Sequence, residues 1–397
     1  GDLNEDDGVD FIDNDENSYH VVTGSGTDTT AVLDGITVTA GNANGDFPEN
    51  SGGGMLNMNG HPMVNNCIFT KNAAGWGAGM RNRDGSKPIV INCTFSGNHA
   101  SEVGGGMANI GSTPAVTDCT FSVNSATWAG GMYNIDSSPT VTSCTFEGNI
   151  ATDESGGGIY IELNSSPAIY DCTFTGNTAK WGGGVIITDG STPYISNCSF
   201  IANSTYENGS GGAISVYDSE LDIVNCILVA NEAYWGGGLS IDNSRVRADN
   251  CTIAQNSITK NGGGIYADEK SHIVINNCIV WGNTAPTASQ IVGHHEGTEV
   301  VISYSDVETG WDGQGVQTFV GAIVVDGEGN IDDSPEFVNA VINDFRLESI
   351  SPCIDAGDSS SLPPDILDMD GNGDVNEPIP FDICGDSRIV GYSVDMG

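Results

Sequence analysis

Apolar residues along this chain fall on alternate positions for a few residues at a time, and each run ends at Gly, Asn or Pro. In Pro88–Asn98, Val90, Cys93 and Phe95 take one side, Thr94 and Ser96 take the other, and Asn92 interrupts the run. A period of two sends alternate side chains to opposite faces of a strand. The abundance of Val, Ile, Thr and Phe agrees with strands, and the interruptions mark turns. The pattern predicts short, one-side-buried strands joined by bends and excludes a helical repeat.

The runs themselves repeat. GGGM (Gly52–Met55) leads to NNCIFTKN (Asn65–Asn72), GAGM (Gly77–Met80) leads to INCTFSGN (Ile91–Asn98), and the theme continues to Asn283. Nine cysteines pace it: Cys67, Cys93, Cys119, Cys144, Cys172, Cys198, Cys226, Cys251 and Cys278. A spacing of about 26 residues fits one coil of a parallel β-solenoid, built here from three short strands. Stacked coils place equivalent residues in columns. Phe69, Phe95, Phe121, Phe146, Phe174 and Phe200 form one, and Asn72 to Asn283 form another. Asn at that site suits a left-handed bend, and its amide can bond from coil to coil. The column after the Gly motif is apolar throughout. Two residues on it reads Asn57, Asn82, Asn109, Asn134, then Ile161, Ile187, Val216, Ile241, Ala267. The Gly motifs mark places where side chains would crowd.

Charge changes the picture next. The 397 residues carry a net charge of −42 with only 11 Lys and Arg. That excludes nucleic acid as a partner and favours cations, calcium above all. No 18-residue apolar stretch is present, so the sequence predicts no membrane span. The chain starts at Gly1 and reads as a mature or trimmed piece of a secreted product. The nine column cysteines read as small buried hydrophobes. Cys353 and Cys384 lie outside the column and are candidates for a disulfide in an oxidising compartment.

Three domains are expected: an acidic segment at 1–18 that joins the first coil, a β-helix over 19–307, and a C-terminal cap or anchor-proximal region over 308–397. Asp2, Asn4 and Asp6 have calcium-loop spacing. So do Asp368, Asp370, Asn372 and Asp374 in DMDGNGD, with Gly373 at the sixth position such a loop requires. Trp76, Trp128, Trp181 and Trp235 precede the Gly motif in every second coil. Either each folds over its own turn and covers the Asn ladder, or together they stripe an edge for association or sugar stacking. Tyr133 and Tyr160 point outward on adjacent coils and can receive a sugar ring. Asp136, Glu162, Asp189, Asp218, Asp242 and Asp268 line another edge, where like charges one coil apart raise pKa values or recruit cations.

The paired motifs GGG[MIVL] and FxxN resemble the repeats of chlamydial polymorphic outer-membrane proteins and, more broadly, right-handed parallel β-helix (pectin-lyase-like) repeat proteins. SPCIDAGD (Ser351–Asp358) with RIVGYSVDMG (Arg388–Gly397) resembles the choice-of-anchor ending found after such helices. The resemblance implies an all-β, right-handed, single-stranded parallel β-helix of about eleven coils with a small C-terminal cap, secreted or displayed at the cell surface. The matching positions are structural, so the expected function is a structural or adhesive protein, calcium-stabilised, self-associating or binding other surface proteins as a fibre, sheath or surface layer. The alternative is a carbohydrate-active enzyme, a lyase or hydrolase on uronic-acid polymers, or a carbohydrate-binding module. A lyase would need an Arg base beside carboxylates, for which Arg81, Arg83, Arg245 and Arg247 are the candidates. A high negative charge opposes polyuronates unless calcium bridges them.

Overall fold

The computed structural model describes residues 1, 14–310 and 315–397, so the proposed acidic ligands Asp2, Asn4 and Asp6 lie outside the described residues. The chain divides into two compact units, Gly1–Tyr194 with Ala202–Gly209, and Ile195–Ile201 with Ser210–Gly397. Both are parallel β-solenoids. No helix among the described residues is long and apolar enough to cross a membrane.

Each coil of the first unit carries four strands, as in Met107–Ile110, Ala115–Thr117, Thr120–Ser122 and Ser125–Trp128. Each pairs in parallel with its equivalent one coil on: Met107 faces Met132, Val116 faces Val141, Phe121 faces Phe146 and Ala126 faces Ala151. The sequence pattern leads to three strands. The fourth follows the ladder asparagine, where small residues such as Ala74, Ala100 and Ala126 are buried together. Alanine lets that strand close on the core without filling it, which is why its run looks like a turn.

The columns are in register. Phe69, Phe95, Phe121, Phe146 and Phe174 stack with centroids 4.8–4.9 Å apart and planes within 6°, the spacing that neighbouring strands impose. The cysteines run in single file. The backbone N–H of Cys93 donates to Cys119 Sγ at 3.4 Å, and Cys119 and Cys144 repeat the contact onto Cys144 and Cys172. The inner asparagines are buried and joined, Asn57 to Asn82 to Asn109 to Asn134, by Nδ2–H to Oδ1 bonds of 2.8 Å. In the main ladder Asn98 Nδ2 donates both to Asn124 Oδ1 at 2.9 Å and to the Phe69 carbonyl at 2.9 Å. The left-handed bend does not fall on these ladder residues. It falls one position earlier, at Lys71, Gly97, Val123 and Gly148, and again just before each cysteine, at Asn66, Asn92, Asp118 and Ser143. The ladder amide therefore aims inward, and its neighbour takes the bend, most often Gly or a polar residue but also Val123.

The second unit keeps the same plan. Leu239 faces Ile265, which faces Ile291, and Ile253 faces Val280. The columns end in substitutes: Ser305 Oγ accepts from the Cys278 N–H at 3.0 Å, and Gln290 Oε1 accepts from Asn283 Nδ2 at 2.7 Å. Coil pairing does not stop at residue 307. Val316–Thr318 and Ile323–Asp326 continue the parallel sheets into the region expected to be the C-terminal cap.

The remaining C-terminal segment is not a cap over a coil end. It runs along the flank of the second unit. Phe345 packs on Val229 and Ala254, and Cys353 and Met396 pack on Ile279. The bend asparagines hold it: Asn225 Nδ2 donates to the Phe381 carbonyl at 3.1 Å, and Asn277 Oδ1 accepts from the Asp358 N–H at 2.7 Å. Outward Ile227, Val229 and Ile279 replace the Thr and Ser seen at Thr94, Ser96 and Thr120 because this face is covered.

Candidate functional site

In the first unit the indoles of Trp76, Trp128 and Trp181 end their strands and fold over an outward face. Beneath them Tyr133 and Tyr160 are only 5% exposed. Trp128 stacks on Tyr160 at 5.7 Å with planes 9° apart, and Trp76 meets Tyr133 edge-on at 6.4 Å. The expectation of an open tyrosine platform is therefore corrected: Tyr133 and Tyr160 are the floor of an apolar patch and the half-buried tryptophans its roof. Nor do the indoles cover the Asn ladder, which lies inside. Burial, with Tyr133 Oη donating to Glu162 Oε1, pushes the Tyr133 phenol well above its usual range. Cations cover the roof, Lys180 Nζ at 4.4 Å from the Trp181 ring and the Arg81 guanidinium at 4.9 Å from Trp76. In the second unit Trp235 leans on Tyr266 at 4.9 Å.

The acidic edge differs between units. Asp136 and Asp189 occupy exposed left-handed bends, and Glu162 is tied to Tyr133. In the second unit Asp218 accepts from Asn243 Nδ2 at 2.5 Å. Burial, then the carboxylates of Asp268, Glu269 and Asp218, push Asp242 up to about 6. Charge crowding of the predicted kind is thus present at Asp242.

The DMDGNGD segment forms a tight acidic loop. Asp368 Oδ1 accepts from the Gly373 N–H at 2.9 Å, and Gly373 takes a φ of +86° that side chains avoid. Asp370 converges with two residues that the motif did not contain, Asp365 and Glu377, their carboxylate oxygens all within 4.8 Å. Asn372 Nδ2 bridges Asp370 and Glu377 at 2.9 and 2.5 Å, while Asp374 caps Asn376. Asp365 is 1% exposed, and its Oδ1 has no hydrogen-bond partner. Burial, with Asp370 and Asp368 beside it, raises its pKa. A buried carboxylate facing two others lacks a counter-charge, and an oxygen-rich cluster of that kind fits a hard divalent cation.

The family model for the right handed beta helix region matches residues 7–166, 136–280 and 201–334. This chain belongs to that family. Among curated proteins none matches it. A solved structure, the crystal structure of pectate lyase Pel9A, aligns at 13% identity with a TM-score of 0.39, over 94% of this chain and 96% of that one.

In this β-helix the remaining candidates have structural neighbours. Cys353 and Cys384 are both free thiols and are not joined. Cys353 is buried and donates to Asp306 Oδ2 at 3.2 Å, whereas Cys384 is exposed. Arg83 pairs with Asp84 at 2.9 Å, and Arg247 pairs with Asp249 at 2.5 Å while donating to the Ser361 carbonyl at 3.0 Å. Asp365 and Glu377 escaped the sequence reading because neither falls at a loop-motif spacing; only the fold of Asp365–Glu377 brings them together.

Calcium should raise the melting temperature of the intact chain. At about a hundredfold excess over the dissociation constant the gain is about 2.7 kcal/mol, a shift of a few degrees. Asp365→Asn should remove most of that shift. Scanning fluorimetry with calcium and with chelator measures both, and equal shifts in the two proteins would discount the cluster.

Proposed function

We propose that this β-helix is a non-catalytic structural or adhesive scaffold, secreted or held at the cell surface, and stabilised by calcium. The observation that carries the reading is where the repeated residues are spent. The Met, Phe, Cys and Asn columns all bond or stack onto the next coil in register, so the repeated residues serve coil-to-coil packing rather than a shared reactive site. Its partners are further copies of itself or other surface proteins, with polysaccharide as a ligand for the aromatic flank. The net charge of −42 and the orphaned Asp365 oxygen support calcium as the stabilising ion. Arg83 and Arg247, candidate lyase bases, are already held in ion pairs.

Incubation with polygalacturonate or alginate in calcium, followed by ultraviolet absorbance of the unsaturated product, tests this. A flat trace is expected. Sustained turnover that depends on protein concentration would replace the scaffold with a polysaccharide lyase.

A further inference from the structure

One cluster in the second unit belongs to neither the coil ladders nor the calcium loop. Asp268 ends the strand Ile265–Asp268, and His294 and His295 follow Ile291–Gly293, the strand paired with it one coil on. The two imidazoles converge on one carboxylate oxygen. Asp268 Oδ1 lies 3.3 Å from His294 Nδ1 and 2.5 Å from His295 Nδ1, and the two nitrogens are 2.9 Å apart.

A neutral imidazole has one N–H and one bare nitrogen. If both Nδ1 atoms donate to Asp268, two N–H groups face each other with no acceptor between them. If one is bare, it can accept from the other, but its lone pair then faces the carboxylate oxygen with no proton between them. Asp268 Oδ1 also accepts the Glu269 N–H at 2.8 Å, which leaves it a lone pair for one more partner. A cation removes the conflict, because it accepts electron pairs from all three atoms at once. The triangle fits one: a circle through three atoms so spaced has a radius of about 1.7 Å, less than the 2.0–2.2 Å of zinc–nitrogen and zinc–oxygen bonds. A metal can therefore sit slightly above the plane at bonding distance from each.

We propose that Asp268, His294 and His295 form a binding site for a first-row divalent cation, with zinc as the best-fitting ion. Two imidazoles and one carboxylate on one side of the metal are a borderline-soft set that suits zinc, and not calcium, which takes oxygen. The surrounding contacts match what such ligands need. Tyr266 Oη donates to the other Asp268 oxygen at 2.9 Å and so fixes the carboxylate. The His294 ring is flanked by Tyr266 at 6.0 Å and Phe319 at 6.1 Å. Glu269 Oε1, 3.6 Å from His295 Nδ1, is in reach as a fourth ligand. All three ligands are partly open to solvent, with side-chain exposures of 14%, 25% and 40% for Asp268, His294 and His295. The ion would clamp two successive coils together.

The test uses the intact chain, stripped with chelator and then kept in excess calcium so that oxygen-only clusters are filled. Cobalt is added while visible absorption is followed, and zinc binding is measured by calorimetry. One zinc per chain is expected, with a cobalt spectrum stronger than that of the aqueous ion. His294→Ala and His295→Ala should each weaken zinc at least about 100-fold, and Tyr266→Phe about 10-fold. Circular dichroism and melting in chelator show whether each variant is folded. Absence of zinc uptake by the unmodified protein, or unchanged affinity in the folded double His variant, would overturn the site.

Discussion

Gly131→Ala is expected to destabilise the protein by more than about 4 kcal/mol, the range reserved for substitutions that break packing outright. A Cβ at Gly131 would lie 2.4 Å from the Gly158 carbonyl oxygen of the next coil and 3.0 Å from Phe146 Cδ1. The obstacle is backbone, so it cannot rotate away, and the two coils must separate. Stability in a solenoid is a sum over neighbouring interfaces, so one spoiled interface uncouples the coils on either side. The urea midpoint should fall steeply and the transition should broaden. Gly148→Ala is the matched control. Gly148 has a φ of +60°, but a Cβ there meets nothing within 4 Å. It should cost only the left-handed penalty, about 1–2 kcal/mol. Equal costs for the two would mean that coil spacing is not what the glycine motif protects.

Asn124→Ala should cost about 3–6 kcal/mol. Asn124 is fully buried, and its Nδ2 donates to the Phe95 carbonyl at 2.9 Å and to Asn149 Oδ1 at 3.0 Å. Its Oδ1 accepts from Asn98 N–H at 3.0 Å and from Asn98 Nδ2 at 2.9 Å. Truncation leaves the Asn98 N–H and one of the two Asn98 Nδ2 hydrogens without an acceptor inside the core, and takes a donor from the Phe95 carbonyl. Each orphaned group costs about 1–3 kcal/mol. Equilibrium unfolding in denaturant measures the loss. A change under about 1 kcal/mol would show that water or a neighbour replaces the amide and that the ladder is not cooperative.

Much of this was legible from the period alone. Columns of Met, Cys, Phe and Asn separate cleanly because any fault in one would fall at the same place in every coil. The fourth strand was hidden because Ala100 and Ala126 carry little pattern, and its evidence is pairing rather than periodicity. The left-handed bend is not legible at its true place because Asn is credited with that backbone, while one residue earlier Val123 adopts it at a φ of 54°. Covering of the second unit's flank left a readable trace, since Ile227, Val229 and Ile279 are apolar on the face that Thr and Ser occupy elsewhere. The tyrosines looked outward by alternation, and they are, but alternation cannot reveal that Trp128 lies on Tyr160. His294 lies 26 residues after Asp268, one coil. The repeat period therefore held the clue to that cluster, since His294 takes the place, one coil on, of the acids Asp242 and Asp268.

If the coils are building material held by calcium, as proposed, their assembly should follow the ion. Electron microscopy of the purified chain at rising concentration, with calcium and then with chelator, decides this. Ordered end-to-end or side-by-side assemblies in calcium that disperse in chelator are predicted. Monodisperse single particles under both conditions would contradict the claim.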